Sequence, residues 1–224
     1  MWPWSKNKSA QTTDDAASAR ATEVPSPAAA PAIAIEEYGP TSIFRRHQNK
    51  FLRDYCAGLG ARTIINLGAK PDAGDKEGAT YEAYFPGADF RTLDLSPVDH
   101  PRHIQDDLHV LATAPAPADL VLAMSVIEHI DRPWRAADKI ASLVRPGGHL
   151  YIAMPFFYPI HEGAHFGDHW RCTPSAMGYL FDMLEVVRSD WYPTAITAVR
   201  DRANYWNEPN SCGTGFSMLM RKSA

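Results

Sequence analysis

Three histidines, His161, His165 and His169, stand four residues apart, and a fourth, His129, directly follows an acid, Glu128. Imidazole takes and gives protons near neutral pH and ligates metals, so these are the first positions to consider for chemistry. On a helix the spacing of four would stack three imidazoles on one face and invite a divalent cation, with Asp168 or Cys172 as a further ligand. Gly163 and Gly167 argue against that helix, and the stretch is read instead as a polar loop without a metal, in which His161 is the best-placed general base and His129 the second. Glu128 and His129 also have a plainer reading as anchors of a helix start, where an acid complements the dipole.

A second set of residues would lie just beyond strand ends: Gly68, Asp94, the pair Asp106 and Asp107, and Ser125. In an open parallel sheet, ligands bind outside the carboxyl ends of the strands. A glycine there lets a ligand approach the backbone, and an acid such as Asp94 can accept hydrogen bonds from both hydroxyls of a ribose. Together these positions describe a nucleoside-shaped site. The segment Gly68-Ala69-Lys70-Pro71-Asp72-Ala73-Gly74 keeps only the first glycine of Gly-x-Gly-x-x-Gly, which disfavours a nicotinamide-dependent oxidoreductase.

The elements that must hold these residues are legible in the apolar pattern. Ile43, Phe44, His47, Phe51, Leu52 and Tyr55 recur every three or four positions until Gly58 and Gly60, which predicts an amphipathic helix. Buried strands are expected at Thr63–Gly68, Phe90–Asp94, His103–Gln105, Asp119–Met124 and His149–Met154, the last introduced by the turn Arg145-Pro146-Gly147-Gly148. Between the last two, Pro133 opens a helix carrying Trp134, Ala137, Ile140, Ala141 and Val144 on one stripe. Strand alternating with helix predicts an α/β fold with a mostly parallel sheet covered on both faces. The aromatic and histidine-rich stretch 155–173 reads as a lid or acceptor-binding loop. Trp170 and Arg171 within it are read as packing and a structural ion pair. A short helix is expected over Pro174–Asp182, then two strands, Leu184–Trp191 and Gly215–Met220, paired antiparallel at the sheet edge.

Composition bounds the function. The 224 residues are 45% hydrophobic and 21% charged, which excludes disorder throughout, collagen and coiled coil. A net charge of -4 without a long basic run argues against nucleic acid as a partner. Cys56, Cys172 and Cys212 form no Cys-x-x-Cys pair, so neither a disulfide framework nor a zinc ribbon is expected, and a reducing cytoplasm fits best. No apolar run approaches the ~20 residues of a membrane span, and Met1–Lys6 lacks the apolar stretch of a secretory signal. Residues 1–31, rich in Ala, Ser, Thr and Pro, read as a disordered tail before a single domain over 32–224.

Three segments in order carry a resemblance. Ser125-Val126-Ile127-Glu128-His129-Ile130-Asp131-Arg132-Pro133 is followed by Val144-Arg145-Pro146-Gly147-Gly148-His149-Leu150. Then come Pro155-Phe156-Phe157-Tyr158-Pro159-Ile160-His161 and Asp168-His169-Trp170-Arg171-Cys172-Thr173-Pro174. The chain from about Thr63 to Phe181 resembles class I S-adenosylmethionine-dependent methyltransferases, in particular the bacterial branch associated with surface-polysaccharide and sugar-modifying pathways. The resemblance implies a Rossmann-like, seven-stranded sheet, S-adenosylmethionine as cofactor, and contacts to it at Gly68, Asp94 and Asp107, with Asn66 and Ser125 flanking the same site. It also implies methyl transfer, here expected onto a hydroxyl of a small, carbohydrate-like or secondary-metabolite acceptor. The chain departs from the family at the first motif: Asn66 stands where an acid is usual, and Lys70 and Asp72 replace later glycines. Asn66 brings no negative charge to the cofactor's ammonium, and Lys70 would clash with the sulfonium or pair with the methionine carboxylate. The rival reading is a catalytically silent domain that serves as a partner subunit.

Overall fold

A computed structural model describes residues 41–193 and 213–224, so the tail expected over 1–31 lies outside the described residues. Its strands are β1 (Thr63–Leu67), β2 (Asp89–Asp94), β3 (His103–Gln105), β4 (Ala118–Met124), β5 (Val144–Pro155), β6 (Glu185–Pro193) and β7 (Gly213–Arg221). They form one sheet in the order β3-β2-β1-β4-β5-β7-β6. The first five are parallel, while β7 runs antiparallel to β5 and to β6. The fold is thus the expected Rossmann-like one, with an antiparallel hairpin at its C-terminal edge.

Alternation along the strands divides the core in two. Ile65 and Leu67, Val121 and Ala123, Leu150, Ile152 and Met154, and Phe216, Met218 and Met220 pack on one face with helices α2 (Pro133–Ser142) and α3 (Pro174–Leu180). Ile64, Leu120, Leu122, Tyr151, Ala153 and Leu219 pack on the other, under α1 (Ile43–Phe51), which continues as a π turn over Leu52–Cys56 and a short 3-10 turn to Leu59. Successive side chains in a strand point to opposite faces and those spaced by two share one, so this is the division that a sheet covered on both sides requires. Tyr151, fully buried, stacks on Phe51 at 5.3 Å and donates to or accepts from Ser217 Oγ at 2.7 Å.

Two expectations shift. The turn Arg145–Gly148 belongs inside β5, as a bulge where the register with β4 jumps from Val144 opposite Ala118 to His149 opposite Leu120. Strand and helix do not alternate throughout either: of the parallel crossovers, β4 to β5 carries an α-helix, whereas 68–88 between β1 and β2 holds only a 3-10 turn at Glu82–Tyr84. Pro71, Gly74, Gly78, Pro86 and Gly87 leave that segment no helical run. Side chains hold it instead. Asp75 accepts from the amides of Glu77 and Ala79, and α1 contributes Asn49 Nδ2 to Asp75 O at 2.9 Å and Arg45 and Gln48 to the Tyr81 hydroxyl. No helix among the described residues is long and apolar enough to cross a membrane.

Candidate active site

The carboxyl ends of β1, β4 and β5 open on a cleft of about 420 Å³. Its lining brings together Asn66, Gly68, Ser125, His129 and His161, which are five of the seven residues expected as general base or donor contact. Asp94 and Asp107 are not among the lining residues. Asp94 closes β2, as expected, and Asp107 lies two residues past the end of β3.

Gly68 and Ser125 both have left-handed backbone, with φ of 61° and 55°. At Gly68 a Cβ would stand 2.9 Å from Val126 Cγ2, so the absent side chain makes room for the segment after β4 as well as for a ligand. Ser125 tolerates a conformation that costs a non-glycine residue about 1 kcal/mol or more; its amide donates to Ala153 O at 2.8 Å. Asp72, where a glycine is usual, has φ of 62°, and aspartate is among the few residues that adopt this region readily. Asn66 is 1% exposed, and its Nδ2 has no hydrogen-bond partner among the described residues. A buried amide left unpaired is costly unless a ligand completes it. An orphaned N–H donor at the edge of a cleft is complemented by a ligand acceptor such as a carboxylate.

Of the adjacent acids, Asp106 is the structural one. Its carboxylate accepts from the amides of Asp107, Ala112 and Thr113 and from the Thr113 hydroxyl, closing the turn after β3. Asp107 holds the His109 amide and Nδ1, both at 2.8 Å, and His109 Nε2 reaches Asp131 at 2.9 Å. Asp94 Oδ1 accepts from the Ser96 amide at 2.7 Å.

The two imidazoles form one cluster. His129 lies in the turn after β4 and His161 in the stretch after β5, with ring centroids 4.9 Å apart. His129 Nδ1 lies 2.6 Å from Gly167 O; His161 Nδ1 lies 3.1 Å from Asp168 Oδ2 and 3.2 Å from Pro159 O. These partners can only accept, so in each neutral ring the proton sits on Nδ1 and the Nε2 lone pair is left for other use. Both Nε2 atoms face Glu128 Oε1, at 3.9 Å from His129 and 3.8 Å from His161. The Glu128 side chain is wholly buried, and neither of its oxygens has a hydrogen-bond partner among the described residues. Glu128 beside it raises the His161 pKa above the usual histidine value, with burial opposing and Asp168 adding. Arg171 forks onto Asp168 and holds that carboxyl well below the ordinary range. Trp170 donates to Ile130 O at 2.9 Å and meets Trp134 edge-on. The structural readings of Trp170 and Arg171 therefore hold. His165 and His169 take no part in the cluster, because the stretch is not helical.

Several lining residues were not anticipated: Ser42, Phe44 and Arg45 at the start of α1, and Lys76 and Tyr81 beyond the first motif. The helix itself was legible, but nothing in its periodicity says that its first turn faces the carboxyl ends of the strands. Arg45, Lys70 and Lys76 give this wall of the cleft positive charge. Along 155–173 lies a further concavity of about 600 Å³, lined by Phe156, Phe157, Tyr158, Ile160, Trp170 and Arg171 among others.

Residues 50–206 match the sequence profile of a family described as methyltransferase domain. No curated protein sequence matches the chain. Among solved structures, 1,6-didemethyltoxoflavin-N1-methyltransferase from Burkholderia thailandensis, solved with 1,6-didemethyltoxoflavin and S-adenosylhomocysteine, is 18% identical. It aligns over 81% of this chain and 79% of its own with a TM-score of 0.54. The N-methyltransferase NodS from Bradyrhizobium japonicum WM9, in complex with S-adenosylhomocysteine, is 15% identical over 83% and 90%, with a TM-score of 0.53. The cyclase SpnF is 15% identical over 80% and 81%, with a TM-score of 0.54. At such identities the structural likeness shows the fold. The family match spans well over half of the chain, and the chain belongs to the methyltransferase-domain family, enzymes whose methyl donor is S-adenosylmethionine.

Proposed function

We propose that this protein transfers the methyl group of S-adenosylmethionine to a hydroxyl of a small, carbohydrate-like acceptor. The observation that carries the reading is one cleft lined by both the donor-side residues Asn66, Gly68 and Ser125 and the two imidazoles of His129 and His161. Bound S-adenosylmethionine supplies a methyl group already activated on a sulfonium. The protein's part is to align an acceptor oxygen behind that methyl and to remove the oxygen's proton. His161 is placed for the second task, its Nδ1 proton held by Asp168 and Pro159 so that Nε2 can accept; His129 stands beside it. Asn66, Gly68 and Ser125 hold the donor from the strand ends, with Asp94 and Asp107 reserved for its nucleoside. The aromatic concavity along 155–173 suits the acceptor, because Phe156, Phe157 and Tyr158 offer faces on which a sugar ring could stack.

The test is one substitution read in two ways. His161→Ala should lower turnover by roughly 10²–10⁴-fold, the usual contribution of a general base, while calorimetric titration with S-adenosylhomocysteine stays unchanged. Loss of nucleoside affinity together with rate would assign the loop to donor binding, and no effect on either would pass the role of base to His129. Labelled methyl recovered on nitrogen rather than as an ether would overturn the hydroxyl acceptor.

A further inference from the structure

The donor atoms of Glu128, His129 and His161 all lie within 4.8 Å of one another. They come from two separate loops, and none is satisfied by the other two. Both imidazoles expose a lone pair at Nε2, since their Nδ1 atoms face only acceptors, and the Glu128 carboxylate, wholly buried, is without a hydrogen-bond donor among the described residues. Two imidazole lone pairs converging on a wholly buried carboxylate repel it unless a proton or a cation joins them. Arg171 does not serve, because its guanidinium is held on Asp168.

We propose that Glu128, His129 and His161 bind one divalent transition-metal cation. Two imidazole nitrogens and one carboxylate oxygen are the donor set of Zn²⁺, Fe²⁺, Co²⁺ or Mn²⁺ rather than of Mg²⁺ or Ca²⁺, which favour oxygen throughout. With bonds of ~2.1 Å, two ligands of one ion stand at most about 4.2 Å apart; the carboxylate-to-imidazole distances of 3.8 and 3.9 Å fall inside that limit, and the set as a whole, within 4.8 Å, needs a slight inward shift of the partly exposed His161 loop to close on one ion. The outer contacts agree. Metal-bound histidine characteristically donates its other ring N–H to a backbone carbonyl or a carboxylate, and here Gly167 O receives His129 while Asp168 and Pro159 O receive His161. Asp168 is in turn fixed by Arg171, so the ring of His161 is held from outside. The histidine triplet spaced by four contributes only His161; the other two ligands come from the turn after β4.

Three protein ligands leave positions open toward the cleft. Resting on the acceptor reading given above, a hydroxyl that binds the cation there becomes acidic enough to lose its proton to water, and His161 then acts as ligand instead of base.

Metal binding itself is the readout. Chelator-treated protein titrated with Zn²⁺ should bind one equivalent at this site, and Co²⁺ should give visible ligand-field absorption. Loss of an outer-shell partner alone typically costs ~10–100-fold in metal affinity, so Glu128→Gln and His161→Ala should each weaken Zn²⁺ at least tenfold. His161 lies on a partly exposed loop, so its variant remains informative where Glu128→Gln fails to fold. Absence of Zn²⁺ and Co²⁺ binding in the unmodified protein, or binding untouched by either substitution, overturns the site. S-adenosylhomocysteine titrated into the same samples reports separately on the methyl-transfer reading: nucleoside bound without metal refutes the cation alone, and metal bound without nucleoside refutes the donor site alone.

Discussion

Asp94 engages the Ser96 amide through one carboxylate oxygen, and an aspartate has acceptor capacity beyond one bond. If its remaining capacity serves the ribose of the donor, Asp94→Ala should weaken S-adenosylhomocysteine by roughly 1–3 kcal/mol, the cost of leaving polar hydroxyls without a charged acceptor. Calorimetry measures it, with a thermal melt to confirm that the strand end survives; unchanged affinity would remove Asp94 from the site. At this scale the sequence was informative where a residue's position follows from its place after a strand, as for Gly68, Ser125, His129 and His161, which line one cleft. It was silent on Glu128. An acid beside a histidine at a helix start looks like a dipole anchor, and only the fold shows that its carboxylate is buried between two imidazoles without a hydrogen-bond donor among the described residues. It was equally silent on Val126, whose side chain makes Gly68 obligatory.

Among the elements, the three central strands are tied at their amino ends by one side chain. Asp119, at the start of β4, accepts from the amides of Arg62 and Thr63 and from the Thr63 hydroxyl, and pairs with Arg145 in the β5 bulge. Burial would raise its carboxyl, but Arg145 and these donors outweigh burial and hold it well below the usual aspartate range. A depressed folded pKa means that this stabilisation is present above the unfolded value of ~3.9 and is lost as pH falls through the folded one. Asp119→Asn should therefore lose roughly 1.5–3 kcal/mol near neutral pH. Its denaturation curves should converge on the parent's as the pH drops well below 4; a gap that stays constant with pH would deny Asp119 this role. The bulge explains why the Pro-Gly-Gly turn misled at the start of β5: the turn is real, but pairing resumes on both sides of it. The missing crossover helix at 68–88 was also foreseeable in part, since its glycines and prolines break every helical run, whereas its hold on α1 depends on contacts that no local pattern encodes.

For the molecule as a whole, among the described residues both faces of the sheet are covered by continuous apolar layers. We accordingly expect removal of residues 1–31 to leave the thermal midpoint within a few degrees of the full chain, because Ala-, Ser- and Pro-rich sequence adds little apolar area to a core; unfolding of the truncated protein would refute that boundary. The docking of α1 has a further consequence. Ser42, Phe44 and Arg45 line the cleft, while Arg45, Gln48 and Asn49 hold the 68–88 segment that forms its floor. Nucleoside occupancy and seating of the N-terminal helix are therefore linked equilibria, and linkage is reciprocal. Whatever free energy the ligand gains from the seated helix must reappear as resistance of that helix to opening. Amide hydrogens of residues 43–51 should exchange more slowly when S-adenosylhomocysteine is bound, and Asn49→Ala should speed their exchange, weakening the affinity only to the extent that the helix is left unseated; equal exchange with and without the nucleoside would deny the linkage.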